Sequence, residues 1–306
     1  MLSVIVLGSA AGGGVPQWNC NCATCKTARG SPDLHNGQVS LAISADGGTH
    51  WFLINASPDL RAQVNATPEL HPDPAHLRHT PIAGVILTNG EVDAVAGLLS
   101  MREGSCFSIY AHPRVLDILA SNSIFNVLDP VRVPRIPLAL GQSFEPALPD
   151  QSPSGLQVEP FEVPGKVAWF LEGAPGRQQT SSGDTIGLTL RAGGRTVHVI
   201  TACAAMTPEL ADRLRGADLV FFDGTLWRDD EMIVAGLAAK TGQRMGHLSM
   251  SGAGGVMALL ADLGIAQKVF IHINNSNPAL LPDTPERRAA EAAGWIIPQP
   301  GREFAA

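Results

Sequence analysis

The chain has 306 residues, 45% hydrophobic and 16% charged, which is ample apolar material for a large core. A net charge of -7 without a basic run, 5% aromatics and one Tyr argue against a nucleic-acid binder, which needs a basic patch or stacking platforms. No apolar stretch approaches the ~18 residues of a membrane span, and no basic residue precedes the first apolar run, which Gly8 ends early, so neither a membrane protein nor a secretory leader is expected.

Ser3 to Leu7 is a β-branched run and reads as a buried strand, followed by a glycine-rich loop from Gly8 to Pro16 and then by three cysteines. Val39–Ser44 and Trp51–Asn55 flank Asp46-Gly47-Gly48 and read as a hairpin. Asn55-Ala56-Ser57-Pro58-Asp59 opens a helix, with Ser57 as N-cap and Pro58 in the first turn. Ile82–Leu87 is a strand, and a helix follows the loop Thr88–Asp93 as far as Met101. Phe107–Ala111 is a strand and Pro113 opens a helix towards Ala120. The Pro-rich stretch from Pro130 to Glu172 mixes short strands with loops.

Gly187–Arg191 and Thr196–Ile200 form a second hairpin around Gly193-Gly194, and Pro208–Leu214 is helical. Leu219–Phe222 is a buried strand ending at Asp223. Ser251–Leu263 reads as a helix closed by Gly264. Val269–Ile271 is a strand ending at His272, and Pro285–Ala293 is a helix. Hairpins thus come first and strand–helix pairs later in each half, with no repeat and no linker. The expected fold is α/β: a single domain over 1–306 with two mixed β-sheets face to face and helices on the outer faces.

Cys20, Cys22 and Cys25 place three thiols within six residues, with two further cysteines at 106 and 203. An odd number without a leader fits a reducing, cytoplasmic compartment, where clustered thiols bind metal more readily than they pair. Gaps of one and two residues let thiolates converge on a structural zinc. The fourth ligand comes from elsewhere; His35 and the Asn274–Asn275 segment beside His272 are the candidates, and Asn275 is carried forward. Cys106 and Cys203 adjoin apolar segments and read as small core residues.

Three strands end in groups that bind metal: the strand before Asp93, the one ending at Asp223 and the one ending at His272. His247 lies in a loop before a helix. Each has a bland alternative: an N-cap for Asp93, a turn for Asp223, a satisfied core imidazole for the histidines. The loop Gly8–Gly14 has neither the GxGxxG spacing of a dinucleotide site nor the lysine of a P-loop, and reads as a tight turn.

The string Gly8-Ser9-Ala10-Ala11-Gly12-Gly13-Gly14-Val15-Pro16-Gln17-Trp18-Asn19-Cys20, with Cys22 and Cys25, resembles the PqqB family of pyrroloquinoline quinone (PQQ) biosynthesis. Asn55–Asp59, Val163-Pro164-Gly165-Lys166-Val167, Asp223-Gly224-Thr225, Met245-Gly246-His247 and His272-Ile273-Asn274-Asn275 extend the likeness in the same order. The resemblance implies a metallo-β-lactamase-like αββα sandwich, a structural zinc on the cysteines, and iron-dependent hydroxylation of a tyrosine-derived intermediate. The superfamily's HxHxDH motif would fall after Leu87, where this chain has Asn89, Glu91, Asp93 and Ala94. The PqqB family lacks the first two histidines but keeps the one where Ala94 stands here. Ile200–Ala204 also departs from the Pro-Gly-Cys-Ala expected there.

Three readings follow. In the first, Asp93, Asp223 and His272 hold Fe2+, His247 binds metal or orients substrate, and Arg102 pairs with a carboxylate of a small tyrosine-derived peptide or dipeptide. In the second, Ala94 marks a decayed site and the protein binds or carries PQQ or an intermediate. In the third, a metal-activated water hydrolyses esters or phosphodiesters. Partners are the small substrate and other PQQ-biosynthesis proteins, with a homodimer allowed.

Overall fold

A computed structural model describes residues 1–173 and 182–306. Thirteen strands occur among them: β1 Ser3–Gly8, β2 Ser40–Ser44, β3 Trp51–Ile54, β4 Ile82–Ile86, β5 Ser108–Ala111, β6 Arg135–Pro137, β7 Gln157–Glu162, β8 Ile186–Ala192, β9 Arg195–Ile200, β10 Leu219–Asp223, β11 Gln267–Ile271, β12 Trp295–Ile296 and β13 Glu303–Ala305. They form two sheets, ordered β13-β1-β2-β3-β4-β5-β6 and β12-β11-β10-β9-β8-β7. Each is mixed: hairpins pair antiparallel, whereas β3-β4-β5-β6 and β9-β10-β11-β12 run parallel.

The period-two alternation of the strands explains the layering. On β10, Leu219 and Phe221 point into the core between the sheets, while Val220 and Phe222 point to the outer layer. On β1, Val4 and Val6 face inwards, and Ile5 and Leu7 face the opposite outer layer. Helices cover both outer faces. Leu60, Val115 and Leu119, from Leu60–Asn65 and Pro113–Ser121, cover one. Leu210, Val256 and Ala290, from Pro208–Leu214, Val256–Leu259 and Pro285–Ala292, cover the other. The αββα expectation is met. No helix among the described residues is long and apolar enough to cross a membrane.

Three local expectations are corrected. The helix after Asn55 starts at Leu60 with Asp59 at its N-cap; the Ser57 hydroxyl accepts from the Asp59 N–H at 3.2 Å and donates to Gln63 at 2.9 Å, so it organises the turn before the helix. The helix expected over Ser251–Leu263 is confined to Val256–Leu259. Glycines at 252, 254 and 255 precede it, and Gly252 has φ +90°, outside helical space. Cys106 is exposed and not a core residue, whereas Cys203 is buried.

The register brings the strand ends to one rim. Phe222 pairs with Ile200 and Asp223 with Ile271, so Thr201, Asp223 and His272 emerge side by side. The rim of the other sheet joins them: the hydroxyls of Thr88 and Thr201 lie 2.8 Å apart, and Ile186 N–H donates to Thr88 O at 2.8 Å.

Candidate metal centre and cavity

Asp223, His247 and His272 each offer a ligand atom, all within 4.8 Å of one another. Asp223 is fully buried. Its Oδ2 accepts from Cys203 N–H at 2.9 Å and from His247 Nδ1 at 2.7 Å, and its Oδ1 accepts from Thr225 N–H at 3.0 Å and Thr225 Oγ1 at 2.6 Å. The two imidazoles stack, with centroids 5.0 Å apart and planes at 20°. His272 Nε2 reaches Asp93 Oδ2 at 3.0 Å, across 179 residues of sequence. Asp93, Asp223, His247 and His272 are therefore neighbours.

His272 has φ +55°, in the left-handed region that a non-glycine residue enters only at a cost of about 1–3 kcal/mol. That turn aims its ring at Asp93 and sends Ile273–Asn275 back across the glycine-rich loop, where Ala11 N–H donates to Ile273 O and Ile273 N–H to Ser9 O, both at 2.8 Å.

Burial lowers the His272 imidazole and raises the Asp93 carboxyl, but their mutual hydrogen bond and charge outweigh burial. The imidazole ends above its ordinary value, helped by Asp223 and Glu91, and the carboxyl below its own. In metal-free protein the His272 contribution to stability is present at low pH and lost as pH rises through its raised value. The Asp93 contribution is present above the ordinary carboxylate range and lost in acid. The pair is thus strongest at mildly acidic pH. A metal must displace the His272 proton, so metal affinity at this site is expected to rise with pH until that proton is lost, with proton release on binding. Titration calorimetry in buffers of differing ionisation enthalpy checks this; a pH-independent affinity with no proton release contradicts it.

Thr225 escaped notice as more than part of a motif. Its hydroxyl lies 2.8 Å from His272 Nδ1, 3.0 Å from His247 Nδ1 and 3.0 Å from His272 O, as well as touching Asp223. It holds three candidate ligand groups in place at once. Thr225→Val keeps the shape and removes the hydroxyl; metal affinity is expected to fall about 10–100-fold, as for other groups that orient ligands. Equilibrium dialysis reads this, and unchanged affinity removes the orienting role.

The cysteine cluster forms a second constellation, with its three sulfurs within 4.8 Å of each other. Asn275 Nδ2 donates to Cys20, Cys25 and Cys22 at 3.1, 3.3 and 3.5 Å. One amide thus touches all three sulfurs, where a cation would be drawn, and the same side chain turned over presents Oδ1 as an oxygen ligand. His35 is occupied by Ala28 O at 3.1 Å and Asn274 Nδ2 donates to Ser276 at 2.6 Å, so Asn275 is the candidate whose side chain faces the thiols. Burial pushes the Cys22 thiol up to about 11. Burial also opposes ionisation of Cys20, but the Cys22 backbone N–H and the neighbouring thiols and amide hold it below its ordinary value. The donor set fits zinc: soft sulfurs, one poised to ionise, closed by a neutral ligand.

A cavity of about 810 Å³ opens beside the strand-end site, lined among others by Glu91, Asp93, Lys166, Trp169, His247 and His272. Asp93 and both histidines thus face open space on one side. Ala94 does not face it; its methyl is buried with Ala56, Leu87 and Leu98 in the outer apolar layer, and it supplies no donor. Arg102, expected to bind a carboxylate, is corrected: it is exposed, donates to Leu99 O at 2.8 Å, and does not line the cavity. It follows a 3₁₀ turn whose direction its own sequence does not reveal.

Two packed mixed sheets, outer helices and an Asp/His cluster at one rim define a protein of the metallo-β-lactamase class. The family model described as beta-lactamase superfamily domain matches residues 50–273. A coenzyme PQQ synthesis protein B of Rhodopseudomonas palustris is 64% identical, covering 99% of both chains, and one of Gluconacetobacter diazotrophicus is 56% identical, covering 97% of both. The crystal structure of Zn(2+)-bound PqqB from Methylobacterium extorquens superposes with a TM-score of 0.93 at 46% identity, over 99% of this chain and 100% of that one. The chain belongs to the coenzyme PQQ synthesis protein B (PqqB) family. A diphosphatase of the PhnP family, at 18% identity and TM-score 0.68, shares the fold.

Proposed function

We propose that this chain acts in PQQ synthesis by hydroxylating the phenol ring of a tyrosine-derived peptide or dipeptide, using ferrous iron and dioxygen. The observation that carries this reading is that Asp93, His247 and His272 line the 810 Å³ cavity while the buried Asp223 reaches His247 beneath them. A Zn(2+)-bound relative from Methylobacterium extorquens supports zinc, and Cys20, Cys22 and Cys25 with Asn275 would hold it here. Iron suits Asp223 and His272, with Asp93 and His247 beside them, because carboxylate and imidazole donors hold Fe(II) while leaving positions open. Bound iron supplies the activation of dioxygen.

The chain's own residues do the rest. Trp169 and Phe170 are partly exposed at the cavity and offer flat apolar surfaces to a phenol ring. Trp169 N–H donates to Glu91 Oε1 at 2.8 Å, which fixes that aromatic turn beside Asp93. Burial, reinforced by the Asp93 charge, lifts the Glu91 carboxyl above its ordinary range, so Glu91 Oε2 can hold or accept a proton next to the ring.

The test is element-specific metal analysis of protein purified with and without oxygen, followed by incubation of the iron-loaded protein with a tyrosine-containing dipeptide, oxygen and ascorbate as reductant. One zinc and one iron per chain, and a product that gains one oxygen atom only when oxygen is present, are expected. Iron-loaded protein that yields no such product sinks the reading. A second reading, a binding or carrier protein for PQQ or an intermediate, is favoured by Ala94, whose methyl is buried where the family resemblance calls for an imidazole. It predicts one zinc and no second metal even after anaerobic iron loading.

A further inference from the structure

Two lysines stand at the cavity without a part in the chemistry above. Lys166, from the Pro-Gly-Lys motif, and Lys240 are the cavity's lysines among the described residues. They share one carboxylate: Lys166 Nζ donates to Glu172 Oε1 at 2.6 Å and Lys240 Nζ to Glu172 Oε2 at 2.9 Å. The Lys166 ammonium is also 3.9 Å from Glu91, beyond hydrogen-bond reach. Each ammonium has three donors and each spends one on Glu172 among the described residues, so donors remain for a ligand.

The placement of Lys166 is built. Gly246, with φ +91°, carries no side chain, and a Cβ there would come within 3.1 Å of Lys166 Cγ. The lysine stem therefore lies along the turn that presents His247, and the head is half-buried between Glu172 and Glu91 rather than free in solvent. Glu172 bridges its two ammoniums through opposite oxygens, the geometry an incoming carboxylate would adopt. Glu172 itself lines, with both lysines, an adjoining pocket of about 280 Å³, and on the cavity the charged Asp93 carboxylate would repel an acidic ligand elsewhere.

We infer that Lys166 and Lys240 are the carboxylate-binding end of the cavity, and that Glu172 bridges and neutralises them until a ligand carboxylate takes its place. They set specificity for an acidic ligand whose ring then points towards Asp93 and His272. This rests on the reading of the cavity as a site for tyrosine derivatives, and the probes separate the two claims.

Calorimetry on zinc-loaded full-length protein would compare N-acetyl-tyrosine, N-acetyl-tyrosinamide and glutarate. The acid is expected to bind at least tenfold more tightly than the amide. Lys166→Met and Lys240→Met should each weaken the acid about tenfold and leave the amide unchanged. Glu172→Gln removes the competing carboxylate and should tighten the acid several-fold, a gain that a merely structural ion pair would not produce. Equal affinity for acid and amide, or a weaker acid in Glu172→Gln, overturns the assignment. Glutarate binding that both lysine variants lose, without binding of the amide, keeps the lysine pair and removes the aromatic reading. Binding of no probe removes both.

Discussion

Asp223→Asn is expected to empty the strand-end site of metal while the cysteine site keeps its zinc, so metal content falls from two ions per chain to one. Asp223 is fully buried and accepts from Cys203 N–H, Thr225 N–H, Thr225 Oγ1 and His247 Nδ1. An amide of the same shape turns one acceptor into a donor facing donors. That removes the anionic ligand and leaves a buried polar group unpaired, at about 1–3 kcal/mol of stability. The loss in metal affinity should exceed the ~10–100-fold of an orienting group. Metal analysis after dialysis, with a thermal melt as control for folding, reads both effects. A variant that still carries two metals would show that Asp223 is structural and that the ligands lie elsewhere.

Cys25→Ser should remove the zinc, with a large loss of stability. Cys25 is buried; its sulfur accepts from Gln17 N–H at 3.3 Å and from Asn275 at 3.3 Å. The ion would tie the cysteine segment to the segment after β11, reinforcing the two backbone hydrogen bonds by which Ser9 and Ala11 of the glycine loop hold Ile273. Zinc held at a free concentration 100-fold above its Kd stabilises the folded state by about 2.7 kcal/mol, a Tm shift of about 4 °C for a chain of this size. Because Asn275 lies three residues from His272, iron affinity at the second site should also fall. Calorimetric scans with and without a chelator measure the first effect. A Tm that is insensitive to chelator in the parent protein would remove the structural role.

Much of the fold could be read from patterning. The apolar runs of β1 and β10 read as buried strands, and each strand expected with stated bounds stands within a residue or two of its place, whereas β12 and β13 were not expected and β6 and β7 had no stated bounds. The failures are local. Ser57 was misplaced by two positions because a Ser-Pro-Asp turn offers two competing caps. The helix before Gly264 was overextended because the apolar pattern masked the unfavourable glycines before Val256.

The sequence by itself pointed to the zinc-competent thiols, by their short gaps, and to Asp223 and His272, because each stands at the end of a hydrophobic strand. Only the tertiary structure decided that those groups meet, that Asn275 rather than His35 faces the thiols, that Thr225 sits among the ligands, and that Lys166 and Lys240 occupy the cavity while Arg102 does not. The physical reason is that local composition sets which way a strand or helix faces. Meetings between residues 179 or 250 positions apart depend instead on sheet register and on single turns such as the one at His272, which no local pattern encodes.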